Sequence, residues 1–173
     1  ALRRWSSSPT DTPPLVMKKH FNIVGRGIGL VIGCATFPTW NTYPGLFAAL
    51  ATGNPVIVKP HPNAVLPAAI TVSIVRDVLS EQGLDPNLVT LALSNDPAHT
   101  QALAKSPAVA SIDFTGSNQF GRWLQDNARQ ARLYAEMAGV NSVVIESTDQ
   151  YSAMLNNLAF TLSLYSGQMC TPT

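Results

Sequence analysis

Val109-Ala110-Ser111-Ile112-Asp113-Phe114, followed at once by Thr115-Gly116-Ser117, decides the fold class of this chain. The first six residues carry the β-branched and aromatic types of a buried strand, and the Thr-Gly-Ser turn then opens a helix that runs to about Arg129. The same alternation extends in both directions. Upstream, Ile28 to Cys34, Val56-Ile57-Val58 and Leu88 to Leu93 read as strands. Between and after them lie helices following Pro44 and closing at Gly53, from Val65 to Glu81 with a stop at Gly83, and from Ala98 to Lys105. Downstream, strands near Leu133 to Glu136 and Ser142 to Ile145 precede a last helix. In that helix Tyr151, Met154, Leu155, Leu158, Leu162 and Tyr165 recur at three- and four-residue spacing, with Asp149 as its cap and Gly167 as its stop. Strands alternating with helices require crossover connections, so the class is α/β with a mostly parallel sheet covered on both faces.

The bulk composition narrows the setting. The chain's 173 residues suffice for one domain with a core, and 11 Lys plus Arg against 10 Asp plus Glu leave no basic field for nucleic acid or an anionic membrane. Charged residues make up 12%, below the usual share of about 25%, which implies that part of the surface is meant to be covered by a further segment or subunit. No uninterrupted apolar run reaches the roughly 18 residues of a membrane span. Cys34 and Cys170 form no disulfide framework and no signal-peptide pattern opens the chain, so a reducing cytoplasm is the simplest setting. Residues 1 to 20, with a Ser-Ser-Ser-Pro cluster and Pro13-Pro14, read as an irregular lead-in.

Candidate chemistry collects where strands end. Gly25, Gly27 and Gly29 miss the spacing of a dinucleotide fingerprint and precede a strand, so they are turn glycines. Thr115-Gly116-Ser117 offers the positive end of a helix to an anion, or is an ordinary cap, with Gly121 allowing close packing of that helix. Lys59, closing a strand, reaches ribose or phosphate, or is a surface lysine. Asn41, after Trp40, is an amide donor for an oxyanion, or turn chemistry. Glu136 lies in an apolar stretch, where burial would raise its pKa and suit a general base; alternatively it pairs with Arg122 or Arg132. Cys170 follows Gly167-Gln168-Met169 on an exposed loop beyond the last helix, where a thiol is either a nucleophile or inert.

Taken in order, these motifs resemble the aldehyde dehydrogenase superfamily. The likeness rests on Phe37-Pro38-Thr39-Trp40-Asn41, Val58-Lys59-Pro60, Phe114-Thr115-Gly116-Ser117, Glu136 and Gly167-Gln168-Met169-Cys170, and runs from about Phe21 to the end. Gly53 to Pro62 with Thr36 to Asn41 is most similar to the branch of the phenylacetic acid degradation protein PaaN. The resemblance implies an open Rossmann-like sheet over residues 21 to 165, and the start of a truncated catalytic domain over 166 to 173. It implies oxidation of an aldehyde by NADP or NAD, in a parent enzyme that is a homo-oligomer. Cys170 would be the nucleophile, Asn41 the oxyanion donor and Glu136 the base for the hydrolytic water. Trp40, Lys59, Thr115, Gly116 and Ser117 would hold the cofactor; no metal is implied. Two departures stand out. Pro62 occupies the place of an acid that holds the adenine ribose in many members, which favours NADP, and Ser94-Asn95-Asp96-Pro97 replaces a glycine-bearing turn. The rival expectation is a non-catalytic nucleotide-binding fragment. A cysteine hydrolase lacks a motif placing His20, His61 or His99 near Cys170.

Overall fold

The structure, a computed structural model, describes residues 19–170. Five strands form one sheet: β1 (Ile28–Ile32), β2 (Val56–Lys59), β3 (Val89–Leu91), β4 (Val109–Gly116) and β5 (Arg132–Met137). Their spatial order is β3-β2-β1-β4-β5 and every pairing is parallel. Helices α1 (Tyr43–Ala51), α2 (Val65–Glu81), α3 (Pro97–Lys105) and α4 (Asn118–Asn127) supply the crossovers. This is the open Rossmann-like α/β arrangement, with chain direction across the sheet reversing between β1 and β4.

Two clusters of apolar side chains hold the layers together. On one face Val31, Val56, Val58 and Val89 pack on Leu46 of α1 and on Ala68 and Val72 of α2. On the other, Leu30, Ile32, Ile112 and Phe114 pack on Ala104 of α3 and Leu124 of α4. Neighbouring residues of β1 thus point into opposite cores, as strands buried on both faces do. Pro62–Glu81, which is α2 and the turn before it, is long and apolar enough by length and composition to cross a membrane, with a mean hydropathy of 1.3. Its place is that of a crossover helix laid on the sheet through Ala68 and Val72, while Leu66, Ile70, Ile74 and Val78 form an exposed stripe.

Three expectations fail or shift. Residues 142–145 form no strand, and 138–148 have no regular structure; Val140 and Val144 are exposed rather than aligned on a sheet edge. Apolar content alone does not make a strand: the outer edge of β5 is open, and these residues do not pair with it. The last helix, α5 (Tyr151–Ser163), begins with Gln150 at its cap position, and no side chain caps it. It ends at Ser163 ahead of a short turn, Leu164–Gly167, in which Tyr165 and Ser166 adopt positive φ; Gly167 closes that turn rather than the helix. No residue of α5 is buried. The lead-in expected over residues 1–20 lies outside the described residues except for Lys19 and His20, which have no regular structure.

Candidate functional site

A cleft of about 490 Å³ opens at the carboxyl ends of the strands, astride the β1–β4 reversal. Ligands of open α/β sheets bind at this position because diverging crossovers leave a crevice there. Its wall includes Lys59 from β2, Gly33 to Thr36 after β1, Thr115 to Ser117 at the end of β4, and Asn95 to Pro97 ahead of α3. Lys59, Thr115, Gly116 and Ser117 therefore share one space. Trp40 is 75% exposed and is not among the wall residues.

Lys59 is only 6% exposed, and its Nζ donates to Pro60 O at 3.0 Å. Desolvation lowers its pKa, since removing water penalises the ammonium. Among the described residues that ammonium has no carboxylate partner and no second hydrogen bond, so two of its three N–H groups remain for an acceptor in the cleft. Ser117 is the cap of α4, its Oγ accepting from Phe120 N–H at 3.3 Å. Capping does not exhaust the helix end, because the first N–H groups of any helix lack intrahelical partners and carry its partial positive charge. A cation and a helix N-terminus on one crevice form a cradle for an anion such as a phosphate.

Thr115 pairs in register with Glu136, and Ala138 N–H donates to Gly116 O at 3.1 Å. Asn118 Nδ2 reaches Ala138 O at 2.5 Å. The end of β5 is thereby tied to the turn that starts α4. Glu136 itself is exposed, which corrects the expectation of a buried carboxylate, and it has no ion pair to Arg122 or Arg132. The reason is the sheet face it occupies: β5 is the edge strand, and Arg132, Tyr134 and Glu136 project where no helix covers it, while Leu133, Ala135 and Met137 pack inward. The less exposed acid of this pair is Asp113, which is half-buried. Burial and then the charge of Glu136 raise its pKa.

Asn41 sits on the loop between β1 and α1, with its backbone N–H on Phe37 O at 3.1 Å. Its Nδ2 donates not to Cys170 but to Cys34 Sγ at 3.1 Å. Cys170 is exposed, and its carbonyl accepts from Asn141 Nδ2 at 3.1 Å. The two segments meet at the rings of Phe37 and Tyr165, edge to face with centroids 5.3 Å apart. Sequence reasoning passed over Cys34, Thr36 and His61 as cleft residues. Their position just past the ends of β1 and β2 was the available signal, since strand-end residues face the crevice.

The model of the aldehyde dehydrogenase family matches residues 16–173. A putative aldehyde dehydrogenase family 7 member A1 homolog of Caenorhabditis elegans is 30% identical over 171 residues, covering 95% of this chain and 31% of that protein. The 1-pyrroline-5-carboxylate dehydrogenase of Bacillus subtilis is 29% identical over 161 residues, covering 88% of this chain and 30% of that protein. Among solved structures, an NAD-dependent aldehyde dehydrogenase from Burkholderia multivorans aligns at 60% identity with a TM-score of 0.84, covering 98% of this chain and 31% of that one. A glyceraldehyde-3-phosphate dehydrogenase from Methanocaldococcus jannaschii, complexed with NADP, aligns at 25% identity with a TM-score of 0.76, covering 85% and 32%. The chain spans about a third of the length of these relatives.

Proposed function

The chain belongs to the aldehyde dehydrogenase family, and from that premise we propose that it is the dinucleotide-binding part, with the nucleophile segment, of an enzyme that oxidises an aldehyde to an acid. The observation that carries the reading is the pairing of a buried, incompletely bonded Lys59 ammonium with the Ser117 helix end on one strand-end cleft. That donor set fits a dinucleotide: ribose hydroxyls and phosphate oxygens are the acceptors it lacks. NADP or NAD is the cofactor, and it supplies the hydride acceptor when bound. The place of the missing acid at Pro62 supports NADP, whereas the Burkholderia relative is named for NAD.

In this reading the Cys170 thiolate adds to the aldehyde carbon, and the oxygen becomes an oxyanion held by Asn41 Nδ2 and the Cys170 backbone N–H. Loss of hydride from the same carbon restores a carbonyl as the Cys170 thioester. Glu136 takes a proton from water, which attacks the thioester and expels the thiolate as the acid forms. The exposure of Glu136 suits contact with water. The Phe37–Tyr165 contact supports bringing Asn41 towards the cysteine segment. We assign residues 21 to 165 to the dinucleotide domain and 166 to 173 to the start of the catalytic domain. A role in phenylacetate catabolism within the PaaN branch rests on the motif from Gly53 to Pro62 with Thr36 to Asn41, and a cytoplasmic setting rests on Cys34 and Cys170 forming no disulfide framework. The exposed stripe of α2 gives a homo-oligomer apolar surface to bury.

The second reading, binding without turnover by the 173 residues alone, is favoured by an α5 with no buried residue and an exposed Cys170. Nothing then positions an aldehyde against the thiol, and lost orientation can remove up to about 7–11 kcal/mol of catalysis. One experiment tests both: aldehyde-dependent reduction of NAD and NADP by the chain alone and by its complete reading frame. The expected result is turnover only in the latter, abolished by Cys170→Ser. Glu136→Gln should leave a single-turnover burst and slow later cycles by about 10²–10⁴. Full steady-state turnover in Glu136→Gln, or any in Cys170→Ser, would refute the assignment.

A further inference from the structure

The loop after β1 makes a contact that the proposed chemistry does not use. Asn41 Nδ2 donates to Cys34 Sγ at 3.1 Å, and Thr36 Oγ1 lies 3.6 Å from the same sulfur. The backbone of Phe37 and of Thr36 also favours the thiolate form of this sulfur. Burial, the largest single influence, raises the Cys34 pKa, but these donors together outweigh it and leave the thiol more acidic than usual. As the acceptor of the bond from Asn41 Nδ2, the sulfur holds the amide nitrogen of Asn41, rather than the amide oxygen, towards itself.

That selection matters because a side-chain amide has two faces of opposite polarity. Turned one way, Asn41 would offer a developing oxyanion a carbonyl oxygen and repel it; turned the other, it offers an N–H. The backbone bond from Asn41 N–H to Phe37 O holds the loop but not the rotation of the side chain. The bond to Cys34 is the polar contact that settles that rotation. An amide nitrogen carries two N–H groups in one plane, so binding one fixes the direction of the other.

We propose that Cys34 is a positioning residue for Asn41: its sulfur accepts one N–H of the amide and leaves the second for the oxyanion formed on the aldehyde. The inference rests on the reading of Asn41 as oxyanion donor. Cys34 itself undergoes no bond change.

The test uses the enzyme in its complete reading frame with Cys34→Val, Cys34→Ala, Cys34→Ser, Asn41→Ala and the Cys34→Ala/Asn41→Ala pair. Loss of an oxyanion donor costs about 10²–10³ in kcat, so Cys34→Val and Cys34→Ala, which misorient rather than delete it, should cost about 10- to 100-fold. The loss should fall on kcat, and Cys34→Ser should recover most of the rate. The double variant should be no slower than Asn41→Ala alone, as coupled groups are non-additive. If Cys34→Val destabilises the fold, the smaller Cys34→Ala carries the comparison. Wild-type rates in folded Cys34→Ala, beside a crippled Asn41→Ala, would overturn this inference and leave the role of Asn41 standing. An Asn41→Ala variant of normal rate would overturn both. A Cys34→Ala loss that serine fails to recover, or that multiplies with Asn41→Ala, would assign Cys34 to packing and overturn the proposal.

Discussion

Replacing Lys59 with methionine should weaken dinucleotide binding and stabilise the empty protein at the same time. The side chain is almost fully buried, and Pro60 O at 3.0 Å takes one of three N–H groups, leaving two for a ligand. A hydrogen bond between charged and polar groups contributes about 1.5–3 kcal/mol, so losing one corresponds to about 10- to 150-fold in Kd. Methionine keeps the length and apolar stem, so the cleft wall is retained while the donors go. Stability moves the other way, because burial disfavours the ammonium and methionine carries no charge to desolvate. The folded-state pKa lies below the ordinary 10.5, so between the two values the unfolded chain binds more protons and wild-type stability rises with pH. Lys59→Met should lack that rise. Fluorescence titration with NAD and NADP, and thermal melts at neutral pH and near pH 10, read both effects. Equal dinucleotide affinity in the two proteins would refute the role of Lys59, and a lower melting temperature in the variant would refute the desolvation argument.

Two further substitutions probe the frame of the site. Asp113 has a pKa raised above 3.8 by burial and then by Glu136, so the folded state binds the extra proton and stability falls as pH rises through that window. Asp113→Asn should therefore melt higher than wild type at pH 7, with the gap closing as pH falls below the window; a constant gap would contradict the linkage. A Cβ on Gly121 would lie 2.7 Å from Met137 Cγ and closer still to Sδ. Gly121→Ala should cost about 1–3 kcal/mol in urea unfolding through overpacking, and Met137→Ala should relieve it; additive losses would show that the two do not meet.

The alternation of strand and helix was legible because each crossover carries its own punctuation. Gly53 and Gly83 end helices at positive φ, and α2 runs from Val65 to Glu81 as its apolar spacing requires. Ser117 was readable as a cap, and Gly121 as a point of close packing, because each is a local property. What failed was not local. Val143, Val144 and Ile145 have strand composition, but they leave the open edge of β5 unpaired, and whether a segment docks on an edge is a tertiary property that sequence does not display. Glu136 reads as buried from its apolar neighbours, yet edge position and the helix-free face of β5 expose it. The Cys34–Asn41 bond was invisible because it depends on how a Pro-containing loop doubles back over seven residues.

The parallel order of the strands also governs how the chain can be made. β1 pairs with β2 on one side, but its other edge waits for β4, with Gly29 opposite Ser111. At about 5–20 residues per second, the roughly 50 residues between β2 and β4 take about 2.5–10 seconds to emerge during synthesis. For that interval the α1–α2 core can condense around β1, β2 and β3, while one edge of the central strand and its apolar underside, Leu30 and Ile32, stay open. A chain stalled with β3 emerged and Val109 still to emerge therefore presents a half-sheet ready to pair with a neighbouring nascent chain. A pause at which α3 has emerged but β4 has not should raise the aggregated fraction, whereas a pause after Gly116 has emerged should not.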